Sequence, residues 1–217
     1  MRGLVSPPDV KEKIMDKVIT ISRQFGSGGR EFGIKLAQAL GIPFYDKELI
    51  SLAAQGTAMC EEFLQHHEES APSMLSGVFY STYFMPMSDQ IYIAQSNAIK
   101  EIAKKGPCVI LGRCADAILE DSVKIYVHAD LKKRVARKNA LNLGIEPEKM
   151  EAHVKKIDKK RKKYYEFYTY QKWGMAENHN LCLDSGQIGI DGCVKTTLAY
   201  LASIDEHTPL EDPGQHG

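Results

Sequence analysis

The sequence has no excess of charge of either sign: 28 Lys and Arg residues balance 28 Asp and Glu residues over 217 positions. Bulk electrostatics therefore selects neither nucleic acid nor a membrane surface as a partner, and any such preference must be local. No run approaches the roughly 18 apolar residues that a membrane span needs. Residues 1–17 carry charges but no apolar core, so no secretory leader is expected there. The cysteines (Cys60, Cys108, Cys114, Cys182 and Cys193) are odd in number and include no C-x-x-C pair. They read as buried thiols of a reducing, cytoplasmic environment. Cys114 stands apart, because it occupies a loop-like position beside Arg113. His66, His67, His128, His153 and His179 show no metal-ligand spacing, which assigns no zinc. There is no internal repeat and no low-complexity tract.

What is present is the composition of an ordinary globular domain, 43% hydrophobic and 26% charged. The length suffices for one domain with a full core. We expect that domain over residues 17–203, with flexible termini at 1–16 and 204–217.

Lys17 to Ser22 (KVITIS) is a β-branched apolar run and a buried strand candidate. A turn rich in glycine follows, then Phe32, Leu36, Ala37 and Leu40 at helical spacing, closed by Gly41. Ile42 to Tyr45 is a second short strand candidate. Lys47 to Ala54 and Met59 to His67 look helical. Ser70 to Ser88, rich in Ser, Met and aromatics, has no clean period and reads as an irregular insert. Asp89 to Lys105 is amphipathic, with Ile91, Ala94, Ala98, Ile99 and Ile102 on one stripe. Strands are expected at Cys108–Leu111, Val123–Val127 and Leu181–Leu183. Helices are expected at Leu131–Leu143, Glu146–Tyr170 and Ile190–Leu201. Such alternation implies an α/β fold with a mostly parallel sheet covered on both faces. Ligands in these sheets sit beyond the carboxyl ends of the strands. That rule selects the loops at Gln24–Arg30, Asp46–Lys47, Gly112–Asp116 and Asp184–Gly189.

The loop Gly26-Ser27-Gly28-Gly29 is the strongest local signal. Glycines let the backbone wrap an anion with several N–H groups, and the following helix adds the positive end of its dipole. Arg30 could hold the same phosphate in bidentate fashion. The loop departs from the G-x-x-x-x-G-K-[ST] pattern: Gln24 stands at the first glycine, Arg30 at the lysine, and Glu31 and Phe32 at the magnesium-binding hydroxyl. A purely structural turn is the alternative reading.

Residues 155–163 hold seven basic residues in nine. Asp158, Arg161 and Lys162 share a helix face there at i, i+3 and i+4. A basic helix closing over a phosphoryl-transfer site fits this pattern. A solvated charged helix or a nucleic-acid footprint also fits it. Tyr164, Tyr165, Phe167, Tyr168, Tyr170 and Trp173 follow. They read as an anchor packing the helix onto its domain in preference to a base-stacking platform.

The stretch ITISRQFGSGGREFGIKLAQALGIPFYDKELI resembles the opening of the cytidylate kinase-like family of bacterial proteins. VILGRCADAIL, KIYVHADLKKRVARK, IDKKRKKYYEFYTYQKWG and NHNLCLDSGQIGIDGCV extend the resemblance in order, from about Lys17 to Leu201. The family is similar to nucleoside monophosphate kinases. The resemblance implies a P-loop kinase-type three-layer sandwich: five parallel strands, helices on both faces, and a helical lid at about residues 144–174. It implies transfer of the γ-phosphate of ATP, with Mg2+, to a nucleoside monophosphate, CMP or dCMP before others. Gly26, Ser27, Gly28, Gly29, Arg30 and Glu31 would hold the donor phosphates, with Glu31 a possible magnesium ligand. Asp46, Lys47, Arg113 and Asp116 would bind the acceptor. Arg113 matches the arginine of a G-R-D motif whose acid is displaced here by Cys114. Arg30, Arg113 and Arg161 would be catalytic, and Asp158, Arg161 and Lys162 would form the lid. Nucleotides are the implied partners, with nucleic acid and membrane not expected and an oligomer open. The atypical loop leaves two alternatives: a non-catalytic nucleotide- or phosphate-binding module, and a kinase for another small acceptor.

Overall fold

The computed structural model describes residues 17–55 and 86–206. Five strands form one parallel sheet in the order β2-β3-β1-β4-β5: β1 (Ile19–Arg23), β2 (Phe44–Tyr45), β3 (Val109–Leu111), β4 (Val123–His128) and β5 (Leu181–Asp184). The helices are α1 (Gly29–Leu40), α2 (Lys47–Gln55), α3 (Met87–Lys104), α4 (Ala115–Ile118), α5 (Leu131–Ala140), α6 (Pro147–Thr169) and α7 (Ser185–Glu206). β1 is central, so the chain leaving it emerges in the middle of the carboxyl edge of the sheet.

Period-two alternation sorts the strand side chains into two cores. Ile19, Ile21, Val109, Leu111, Ile125 and Val127 face α1 and α7, where Phe32, Leu36 and Cys193 are fully buried. On the other face Ile110 packs with Ile50 of α2, Ile99 and Ile102 of α3 and Ala115 of α4. On that same face, the hydroxyls of Thr20 and Ser122 satisfy each other at 3.1 Å. The result is the expected three-layer sandwich.

The differences from the sequence expectation are local and have causes. β2 starts at Phe44, not Ile42, because Pro43 has no N–H and takes part only as an acceptor, from Val109 N. α5 stops at Ala140, three residues short of Leu143, since Asn142 and Gly144 both adopt positive φ. Ser185–Ile188, expected as loop, is one helical turn separated from the rest of α7 by Gly189 at φ 69 and ψ 176. Residues 204–206, assigned to the flexible tail, continue α7. The helix expected at 59–67 and most of the insert expected at 70–88 lie outside the described residues, as does Cys60; Met87 and Ser88 open α3. Cys108, Cys114 and Cys193 are buried, whereas Cys182 is exposed, because alternate residues of the edge strand β5 face outward.

No described helix is long and apolar enough to cross a membrane.

Gly33 lies mid-helix in α1 where it crosses the sheet, and a Cβ there would approach the Phe44 ring to 2.6 Å and Ile21 Cδ1 to 3.2 Å. Helix propensity alone favours Gly33→Ala by about 1 kcal/mol. Overpacking opposes it, so we expect urea denaturation to show a net loss of roughly 1–2 kcal/mol. A stabilised variant would disprove the close helix–sheet contact.

Candidate active site

The glycine loop runs from the end of β1 into α1. Gly26 and Gly28 sit at φ 83 and 80, where other residues are strained. Space demands glycine as well: a Cβ on Gly26 would meet the Arg134 carbonyl oxygen at 2.8 Å, and one on Gly28 would meet Ile190 Cδ1 at 2.5 Å. The loop is tied down at several points. Gln24 N donates to Val127 O, and its side-chain oxygen accepts from Ala129 N at 3.1 Å. Ser27 Oγ donates to Gln24 O at 2.9 Å, and Ser185 Oγ donates to Ser27 O at 2.6 Å. Gly28 caps α1 without a side chain, so no side-chain oxygen competes for the first-turn N–H groups.

Arg30 does not turn toward this loop. It donates from Nε (3.1 Å) and Nη2 (2.8 Å) to one oxygen of Asp46, and its side chain is 66% exposed. Two residues expected on opposite substrates, donor and acceptor, are thus paired with each other. Burial acts to raise the Asp46 pKa, but the hydrogen bonds from Arg30 and Leu49 N outweigh it and hold the carboxyl below its ordinary range. Glu31 also departs from expectation. It lies on the exposed side of α1, 3.3 Å from Lys35, at the i, i+4 spacing that favours such a pair.

Beyond β1 and β3 lies a cavity of about 470 Å³. Arg23, Lys47, Arg113, Lys160 and Arg161 line it, and among the described residues no carboxylate does. Arg23 is the last residue of β1 and was missed by the sequence reading, which began its loop one residue later. Its pKa is pushed down to about 9, first by burial and then by the neighbouring Arg161 and Arg113. Gly112, at φ 75, lies directly under the Arg23 guanidinium, so any side chain at 112 would collide with it. Arg113 and Cys114 follow, both with positive φ. The left-handed pair turns the chain sharply, so that Arg113 lies over the Tyr164 ring, 5.6 Å from its centroid. Cys114 is no reactive thiol: burial pushes its pKa up to about 12, and Asp116 adds to the shift.

The basic helix α6 closes the cavity. Arg161 Nη1 donates to Arg23 O at 3.0 Å, and its guanidinium lies 5.4 Å from the Phe25 ring centroid. It therefore stands between the glycine loop and the cavity. Asp158 accepts from Phe25 N at 2.7 Å and from Arg134 Nη1 at 2.5 Å. Lys162, expected in the lid site, points away instead: it is 60% exposed and 3.9 Å from Glu166. Lys160 lines the cavity in its place. The helical repeat explains the exchange, since residues 160, 161 and 164 share one face of α6, from which 162 points away.

Asp116, expected to bind acceptor, is buried behind this wall. It accepts from Tyr165 Oη at 2.9 Å and lies 3.6 Å from His179 Nε2. It anchors α6 and does not line the cavity. The aromatic run after the basic stretch does the same: Tyr168 donates to Asp89 at 2.8 Å and stacks on Tyr92 at 4.0 Å.

Five parallel strands, a tethered glycine loop at the end of the central strand, and a cationic cavity beside it under a basic helix define a P-loop kinase-type protein. The chain belongs to the cytidylate kinase-like family, whose model matches residues 18–187. Among solved structures it is similar to an uncharacterized protein from Eubacterium ventriosum ATCC 27560, at 28% identity over 86% of this chain and 99% of that one, with a TM-score of 0.67. Its fold is also shared by a shikimate kinase from Acinetobacter baumannii in complex with shikimate (13% identity, 91% and 99% covered, TM-score 0.51). A gluconokinase from Sinorhizobium meliloti 1021 gives 15% identity, 88% and 95% coverage and a TM-score of 0.51. No curated protein matches the chain at a significant level.

The charge of Arg23 opposes folding, fully so below about pH 9, because burial and the neighbouring arginines hold its folded pKa beneath its ordinary value. An anion in the cavity should relieve that cost. We expect inorganic phosphate to raise the melting temperature by a few degrees. Arg23→Gln should be about 1–2 kcal/mol more stable than wild type without phosphate, melting higher, and should respond less to phosphate. A variant that melts lower, with an unchanged phosphate response, would refute this reading of Arg23. Tyr165→Phe leaves Asp116 without its donor and should cost roughly 1–3 kcal/mol in the same assay.

Proposed function

We propose that the protein is an ATP-dependent phosphotransferase of the nucleoside monophosphate kinase type, with CMP or dCMP the first acceptors to test. The observation that carries this reading is the convergence of Arg23, Arg113 and Arg161 on one cavity at the foot of the glycine loop. Donor phosphates would lie on the loop N–H groups and the α1 terminus, and the acceptor's phosphate would enter the cavity. An acceptor phosphate oxygen attacks the γ-phosphorus in line. The bond from that phosphorus to the β,γ-bridging oxygen breaks, and ADP leaves. The attacking group is already an anion, so no general base is required. Arg161, between loop and cavity, would neutralise charge on the transferring group, and Arg113 would hold the acceptor phosphate.

Magnesium would enter with the donor. No cluster of three or more His, Cys, Asp or Glu side chains suited to a metal occurs among the described residues, and Glu31 faces Lys35. The residues present therefore suit an ion carried mainly by phosphate oxygens and water. When bound, it supplies charge neutralisation between the β- and γ-phosphates. Lys160 and Arg161 and the buried Tyr165 wall would exclude competing water.

A second reading is a nucleotide- or phosphate-binding module without turnover. It is favoured by the Phe25 N–H, which is already occupied by Asp158, and by the engagement of Arg30 with Asp46. Phosphoryl transfer from Mg-ATP across a panel of nucleoside monophosphates separates the two. We expect transfer that falls about 10³-fold in Arg161→Ala. Arg30→Ala should lose less than about tenfold, because its guanidinium is held on Asp46. ATP binding without transfer to any acceptor would sink the kinase reading in favour of the binding module.

A further inference from the structure

We infer that the cavity selects a ligand bearing two separate anionic groups, at least one of them a phosphate, over a simple monophosphate. The inference rests on the reading of this cavity as the acceptor's. Its basis is a charge count. Arg23, Lys47, Arg113, Lys160 and Arg161 line the space, and among the described residues none of the lining side chains is acidic. Arg161 also faces the transferring group, which leaves four cations for an acceptor whose phosphate monoester brings at most about two negative charges at neutral pH.

The nearby carboxylates do not make up the difference. Asp46 is held by Arg30 and by Leu49 N. Asp158 is held by Arg134 and Phe25 N. Asp116 is enclosed with Tyr165 and His179. Glu48 is exposed on the first turn of α2. Asp46 and Glu48 still act on Arg23, but less than Arg161 and Arg113 do, so among the described residues the cavity keeps a surplus of positive charge.

Lys47 and Lys160 are exposed, but Arg23 and Arg161 are largely enclosed, and enclosing like charges together is costly unless a ligand supplies the counter-charge. The fold nevertheless holds Arg23 there closely, against a glycine that leaves room for its guanidinium. For reading a base edge the described lining offers mainly hydroxyls and backbone groups, among them the buried Tyr164 hydroxyl. The cavity's remaining lining is Ser22, backbone, the buried thiol of Cys114 and the aromatic side chains Tyr164, Tyr165 and Trp173. Asp116, expected to bind the acceptor, is walled off. Selectivity here comes from charge. The volume, about 470 Å³, admits a nucleotide-sized molecule.

The test is calorimetric titration of the whole protein with CMP and with cytidine 3′,5′-bisphosphate, which differ by one phosphate. A non-hydrolysable β,γ-imido analogue of ATP with magnesium is kept present to fill the donor loop. We expect the bisphosphate to bind at least tenfold tighter than CMP and to lose affinity more steeply with added salt. Lys160→Gln, a change at an exposed position of α6, should weaken the bisphosphate at least fivefold and CMP less than twofold. Arg23→Gln should weaken both. Equal or weaker binding of the bisphosphate by wild type overturns the inference, as does bisphosphate binding that neither substitution affects. In the separate Mg-ATP transfer assay, transfer to CMP together with no charge preference in the titration removes this inference and leaves the kinase reading standing. Charge-selective binding with no transfer from Mg-ATP to any acceptor of the panel does the reverse, upholding the selectivity and removing the kinase.

Discussion

Arg134 and Asp158 form an ion pair with side chains 9% and 16% exposed, and three parts of the site meet on it. Arg134 belongs to α5, Asp158 to α6, and both hold the glycine loop. Arg134 donates to the carbonyls of Ala129 and Phe25, at 3.0 and 3.1 Å, while Asp158 takes the Phe25 N–H. Both backbone groups of one loop residue are thereby fixed by the two partners of one pair. A charge pair this enclosed adds little net stability, but removal of either member leaves the other uncompensated. Its effect is positional: it sets the distance between the glycine loop and the basic helix. Arg161 is one turn further along α6 and inherits its place from Asp158.

The rest of the site follows from how charge is distributed around that pair. Acidic groups are turned outward or consumed: Asp46 by Arg30, Asp158 by Arg134, Asp116 by Tyr165. Cations are left facing the cavity. The chain is neutral as a whole, yet its central cleft is strongly positive. Neutrality of composition therefore says nothing of the field at the site, because pairing elsewhere removes one sign selectively. The depressed pKa of Arg23, due first to its burial, also expresses this imbalance through Arg161 and Arg113.

The basic helix is also more firmly seated than its composition suggests. Seven cations in nine residues describe a solvated surface, and much of it is one. Yet Arg161, Tyr164, Tyr165 and Tyr168 face inward, onto Arg23, Arg113, Asp116 and Asp89 in turn. Tyr164, Tyr165 and Tyr168 of the aromatic run accordingly work as the anchor that its composition suggested, whereas Phe167 and Tyr170 are exposed.

Much of the fold was legible in the sequence because its signals are local. β-branched runs, the helical spacing of Phe32 and Leu36, and the glycines at 26, 28 and 41 each carry a backbone requirement that no tertiary contact overrides. The five strands and the glycine loop follow from these. The site was legible only in part. Sequence named Arg113, Arg161 and Lys47, which line the cavity, but also Lys162, Asp116, Arg30 and Glu31, which do not. It passed over Arg23, Lys160 and Arg134. The reason is physical: a side chain's type fixes what it can bind, but its neighbours fix what remains unbound. Which arginine is paired depends on carboxylates 16 to 24 residues away or further, brought there by packing. Sequence by itself determined the parallel sheet, the anion-ready loop and the supply of cations. Tertiary structure alone decided which of those cations were neutralised and which were left to meet a ligand.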